Sequence, residues 1–249
     1  MIIIKTEKEI DLMRQAGKIV AETLLLVEKE VKPGVTTAEL DKIAEEFITK
    51  HGAKPSFKGL YGFPASLCIS VNEQVVHGIP GGYVLKEGDI ISVDCGAEID
   101  GFHGDAARTF AVGEISEEAR KLITVTEESF FKGVEAAVIG NRLSDISHNI
   151  QKHVEANGFS VVRDFVGHGI GKTVHEDPEV PNFGRPGRGP KLVTGMALAI
   201  EPMVNIGSYR VKTAGDDWTV ITADKSLSAH YENTVVILPD GPEILTLIK

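Results

Sequence analysis

Five side chains able to bind a metal follow one another along this chain: Asp94, Asp105, His168, Glu201 and Glu232. Four carboxylates and one imidazole suit a pair of hard divalent cations. Each acid sits in or beside a strongly apolar stretch, as in GDIISVDCG, AIEPM and HYENTVVIL. An ionised carboxylate is costly to bury there without a counter-charge. Lys and Arg are scarce in those windows, with only Arg108 close by, so a metal is the better candidate for the compensating charge. Two divalent ions cancel four negative charges, and with a bridging hydroxide they make the layout of two-metal hydrolysis.

Taken singly, His77 and Glu232 read as ordinary packed or surface groups. His168 is different, because Gly167 and Gly169 on either side allow close backbone approach and leave the ring no helical face to pack. His175 precedes Glu176, Asp177 and Pro178, a poor place for a core residue, and reads as a catalytic imidazole. The run from Gly167 to Thr173 imitates a phosphate-binding loop. It lacks the glycine needed at position 166, where Val stands, and Pro178 and Pro181 leave no room for the helix that must follow.

Elements that bring the acids together are legible nearby. Asp100-Gly101 between two strand-like runs is a strong two-residue hairpin signal, which sets residue 96 opposite 105 and 94 opposite 107. Asp94, Gly96 and Asp105 then share one face, the two acids being diagonal neighbours roughly 7 Å apart. The same order of elements occurs twice. Capping boxes at Thr6 and Glu9 and at Thr36 and Glu39 open helices that end near Gly34 and Gly52; Ser116 and Ser144 open helices that end near Gly140 and Gly158. Each half then carries His-Gly-Ile and a Leu-x-x-Gly-x5-acid run, ending at Asp94 in one and Glu201 in the other. The reading is one domain, 1–249, of two similar halves of about 1–113 and 114–249, with Glu201 and Glu232 converging in the manner of Asp94 and Asp105. Amphipathic helices over Val- and Ile-rich strands make the class α+β. The Pro-, Gly- and Arg-rich segment from Pro178 to Pro190 is expected to be an irregular loop near the site.

Composition narrows the class. At 249 residues and 42% hydrophobic, the chain reads as globular, and with no signal-peptide core and no spanning apolar run its expected place is the cytoplasm, away from membranes. A formal charge of -10 argues against nucleic-acid specificity. Cys68 and Cys95 read as reduced buried thiols.

The motifs CISVNEQVVHGIP, DIISVDCGAEIDGFHGDAARTF, GHGIGKTVHEDP, AIEPM and HYENTVV together resemble the type I methionine aminopeptidases, over nearly the whole length. That resemblance implies the pseudo-symmetric pita-bread fold and removal of the initiator methionine from nascent chains when the second residue is small. It implies Asp94 as bidentate ligand of one metal, Asp105 and Glu232 as bridges, and His168 with Glu201 on the other, the ions being Co, Mn, Fe or Zn. By the same resemblance Glu201 would help shuttle the proton of the attacking water, His175 would bond the developing oxyanion or scissile amide, and His77 would hold the substrate amide or assist the leaving nitrogen. The methionine pocket maps onto Phe57, Leu60, Phe63, Cys68, Val174 and Trp218, with Leu60 and Val174 smaller and Phe57 larger than usual in the family. A monovalent cation, Na or K, maps onto Asn72, Ser228 and a carbonyl near Gln74. A monomer with transient ribosome contact is the family expectation.

His168 and Glu201 lie too close in sequence for the helical insertion of type II enzymes, and no zinc-binding extension precedes the catalytic region. The nearest rival is an Xaa-Pro peptidase of the same fold; a pita-bread protein that only binds peptides and a dinuclear phosphoesterase are weaker. Because Ile2 is not small, the protein is expected to keep its own Met1, and mass spectrometry of the native N-terminus beginning at Ile2 would count against the second-residue rule.

Overall fold

A computed structural model describes residues 1–248. Helices α1 (Glu7–Glu30) and α2 (Thr37–Lys50) start at the expected capping boxes, each threonine hydroxyl accepting from a glutamate N–H whose carboxylate accepts in return from the threonine N–H. In the second half α3 (Glu117–Val134) opens at Ser116 as expected but stops well short of Gly140. Helix α4 (Leu143–Ala156) opens at Arg142 instead of Ser144. The Asp145 carboxylate accepts the Arg142 N–H at 2.7 Å, while the Ser144 hydroxyl is taken by the backbone of Arg188.

Strands Ile90–Ile99 and Phe102–Ala111 form an unbroken hairpin about Asp100 and Gly101, both at positive φ (51° and 79°). The register is the expected one, with Gly96 opposite Asp105 and Asp94 opposite Ala107. Alternation sends Ile91, Val93, Cys95 and Ala97 into a core with Leu24, Leu40 and Ile48 beneath α1 and α2. Asp94 and Gly96 are thereby left on the far face. The second half repeats this in a five-stranded sheet ordered Gly241–Ile244, Asn233–Leu238, Ala197–Ile200, Gly167–Gly169 and Glu176–Val180. Leu198, Ile200, Val235 and Ile237 pack against Leu122, Phe130, Ile146 and Ile150 of α3 and α4, so Glu201 emerges on the opposite side. Strand Glu176–Val180 corrects the expectation of irregular chain from Pro178: a proline is tolerated there because the strand lies at the sheet's edge.

Strand Phe102–Ala111 also joins the two halves. Ala107 and Glu232 exchange both backbone hydrogen bonds, at 3.0 and 3.3 Å. On either side a threonine hydroxyl replaces the missing rungs: Thr109 Oγ1 accepts the His230 N–H and donates to its carbonyl, and Thr234 Oγ1 does the same for Asp105. Glu201 and Glu232 do not meet as the diagonal pair that the duplication suggested. Their ladder ends at Ile200 opposite Asn233, and the two acids leave the strand ends face to face.

The Lys5 ammonium and the Glu176 carboxylate form an ion pair whose side chains are 2% and 5% exposed. Glu176 also accepts the N–H groups of Lys172 and Thr173, and so ties the turn before His175 to the N-terminal segment. Lys5→Ala leaves a buried carboxylate without its cation. A loss of about 3–5 kcal/mol of stability is expected, read as a lower urea midpoint.

Candidate metal centre

All five sequence-named ligands converge at the base of one cleft of about 850 Å³. His168 Nε2 stands 3.5 Å from Glu201 Oε1 and 4.0 Å from Asp105 Oδ2. Donor atoms of Asp105, His168 and Glu232 lie within 4.8 Å of one another, as do those of Asp94, His230 and Glu232. Glu232 belongs to both groups. His168 Nδ1 sits 2.8 Å from the Gly169 carbonyl; as a donor there, it leaves the Nε2 lone pair facing the acids. The flanking glycines earn their place by close approach, since a Cβ at Gly169 would meet the Asp177 carbonyl oxygen at 2.1 Å and one at Gly167 that of Ala199 at 2.3 Å.

Among the described residues no lysine or arginine pairs with the four acids, whose ion-pair partners within 4 Å are histidines alone. Arg108, the nearby cation, spends its guanidinium on the carbonyls of Ala107 and Glu232 and on Asn233 Oδ1. Asp94 Oδ1, Asp105 Oδ1 and Glu232 Oε1 are buried with no hydrogen-bond partner. Burial pushes Asp94 up to about 7, and burial together with the neighbouring carboxylates drives Asp105, Glu201 and Glu232 well above the usual carboxylate range. Orphaned, mutually repelling oxygens around an imidazole lone pair are a donor set that a divalent ion would satisfy.

The cleft's apolar wall is also the one expected. Phe57, Phe63, Cys68 and Val174 cluster with half-buried Leu60 and Trp218, Phe63 meeting the indole edge to face at 5.1 Å. Strand Gln74–Val76 pairs with Val220–Thr222, which carries His77 of the first half and Trp218 of the second to the same cleft. The His77 ring meets Phe165 edge-on at 5.5 Å, and burial with His175 close by lowers its pKa to about 4. His175 is solvent-exposed at the mouth, yet the surrounding walls desolvate its ring and lower its pKa; it meets the His168 ring edge to face at 4.5 Å.

Three residues escaped the sequence reading. Tyr61 stacks on the His175 ring at 6.0 Å with φ of 51°; Phe165 lines the cleft beside His77; and His230 points Nε2 at Glu201 and Glu232. Only His230 had a usable signal, since it stands two places before Glu232 in an extended run and so shares its face. The residues named for the monovalent cation, Asn72, Gln74 and Ser228, lie close together in the fold. Ser228 donates its N–H to the Asn72 carbonyl, but the Asn72 side chain is engaged by Asp89 and Ile90, and the Gln74 side chain by Val71.

The sequence profile of metallopeptidase family M24 matches residues 11–239. The chain belongs to metallopeptidase family M24. Within that family it falls among the methionine aminopeptidases: that of Clostridium perfringens is 77% identical over 249 residues, which are all of both chains. The crystal structure of the Thermotoga maritima methionine aminopeptidase superposes with a TM-score of 0.98 at 49% identity, each chain covered completely. These likenesses bear out the resemblance to type I methionine aminopeptidases and the pita-bread fold read from the motifs. The prolidase of Pyrococcus furiosus, at a TM-score of 0.80 and 24% identity, matches 99% of this chain but 66% of its own, and that M24 likeness is one of fold alone. M24 is a family of metallopeptidases, and the carboxylate and histidine cluster is one that could bind a metal ion.

Proposed function

We infer that this chain removes the N-terminal methionine of peptides whose second residue is small, using two divalent ions held by Asp94, Asp105, His168, Glu201 and Glu232. The observation that carries the reading is the meeting of four carboxylates, buried at Asp105 and Glu232 and half-buried at Asp94 and Glu201, with one imidazole at the foot of an apolar wall. That wall suits a flexible thioether. Bound there, the two ions would acidify a water and polarise the scissile carbonyl. Asp94 would help to hold one ion, His168 and Glu201 the other, and Asp105 and Glu232 would be shared between them. Glu201 would take and return the proton of the attacking water. His175 and His77, both with lowered pKa, are neutral at pH 7, so each offers a single N–H: His175 to the developing oxyanion, His77 to the substrate amide. Co, Mn, Fe and Zn all suit such a donor set.

The rest of the reading is a cytoplasmic monomer working on nascent chains near the ribosome, with a sodium or potassium ion held mainly by backbone carbonyls about Asn72 and Ser228. Among the described residues no helix is long and apolar enough to cross a membrane, in keeping with it.

Metal-stripped protein is expected to release methionine from Met-Ala-Ser only after Co, Mn, Fe or Zn is restored, and to leave Met-Ile peptides and Ala-Pro intact. Cleavage of Ala-Pro in preference would favour the Xaa-Pro rival, and no release with any metal would favour the binding-only one. Protons compete for the same oxygens. Because burial raises the Asp94 carboxyl to about 7 and holds Asp105, Glu201 and Glu232 well above the usual carboxylate range, metal affinity is expected to fall as pH is lowered, by about tenfold per pH unit per displaced proton. Calorimetric titrations in two buffers of different ionisation enthalpy measure the protons released; none released at pH 6.5 contradicts the raised values.

A further inference from the structure

His230 stands outside the five-ligand set and yet faces it. It ends strand Ser228–His230, opposite Met203, and its backbone N–H and carbonyl are both bonded to the Thr109 hydroxyl. The residue is 1% exposed, and its Nε2 is buried without a hydrogen-bond partner. That nitrogen lies 3.6 Å from Glu201 Oε2 and 3.8 Å from Glu232 Oε2. On the other side of the same carboxylate, His168 Nε2 stands 3.5 Å from Glu201 Oε1. Glu201 therefore has one imidazole per oxygen.

The two rings cannot do the same work. With Nδ1 donating to the Gly169 carbonyl, His168 turns a lone pair toward Oε1, an arrangement that a shared cation stabilises. An equally bare lone pair on His230 would face two anions. A proton on Nε2 reverses the sign of that contact, and a small movement of the ring brings it to hydrogen-bond length. We propose that His230 is a positioning residue: its Nε2–H holds Glu201 Oε2 and fixes the plane of this carboxylate, so that Oε1 points where His168 points. Glu232 Oε2, a little farther off, is the second acceptor within reach. The inference rests on the reading of Glu201 as a metal ligand.

His230→Leu, His230→Asn and His230→Gln test it beside Glu201→Ala, with Mn²⁺ titrated calorimetrically into metal-stripped protein and kinetics on Met-Ala-Ser. Loss of the donor in His230→Leu is expected to weaken the second Mn²⁺ and lower kcat, each about 10–100-fold, with KM changed less than about threefold. His230→Gln, whose amide nitrogen reaches the same place, is expected to recover both to within about threefold, and His230→Asn, one carbon shorter, is not. If His230→Leu does not fold, the contrast between Asn and Gln decides alone. Parent-like behaviour of both, or equal loss in both, overturns the donor role. Two imidazole nitrogens coupled to Mn²⁺ in pulsed EPR of the parent overturn it too, by making His230 a ligand. A Glu201→Ala protein that still binds two Mn²⁺ at parent affinity removes the underlying reading instead, and is distinguishable from failure of the His230 variants alone.

Discussion

Glu232→Ala is expected to abolish high-affinity divalent-metal binding and to lower kcat/KM for Met-Ala-Ser by at least about 10³-fold, the larger of the two effects argued here. Glu232 is the one acid common to both groups of converging donors, with Asp94 and His230 in one and Asp105 and His168 in the other. In the proposed two-ion arrangement, loss of a terminal ligand would impair one ion, whereas loss of Glu232 would impair both. Its place is set by backbone, since the hydrogen bonds between Ala107 and Glu232 continue the first half's hairpin into the second half. The stability sign separates this loss from unfolding. Burial raises the folded pKa of Glu232 above its unfolded value, so its contribution favours the fold below the unfolded pKa and is lost as pH rises toward the folded one. At pH 7.5 the metal-free variant should therefore melt no lower than the metal-free parent. A variant that binds two ions normally and turns over at the parental rate sinks the bridging assignment.

His175→Ala is expected to do the opposite: to keep both ions and lose rate. The ring meets that of His168, but it stands at the exposed mouth of the cleft beneath Tyr61 and belongs to neither donor group. Removing one donor to a developing oxyanion costs about 10²–10³ in kcat, and that range is expected here with metal affinity within about threefold of the parent. Calorimetry and steady-state kinetics on one preparation separate the two quantities. A His175→Ala protein that cannot hold metal would overturn the role.

How much of this was open to a reader of the sequence depends on distance along the chain. The pairing of Asp94 with Asp105 was readable because Asp100-Gly101 selects the turn and alternation does the rest, all within a dozen or so residues. The starts of α1 and α2 were readable for the same reason, each capping box being closed by its own fourth residue. Ser144 misled because its hydroxyl answers to Arg188, far along the chain, and not to its own helix. Pro178 misled because proline marks a loop only where no sheet edge is on offer, and whether strand Glu176–Val180 lies at an edge is decided by topology.

By itself, then, the sequence determined the kind of chemistry and the family to which the motifs belong, and it named five candidate ligands that meet in one cleft. Residue type, spacing and period carry all of these, and none needs to know where distant segments lie. Only the tertiary structure decided that Glu201 and Glu232 stand opposite one another and not diagonally, that Glu232 hangs on Ala107 of the other half, that Lys5 anchors the turn before His175, and that His230 faces Glu201. Each of these is a contact between segments remote in sequence. Their pairing is selected by the burial of two separate cores and by the threonine-completed seam between the halves, terms that no local window of residues contains.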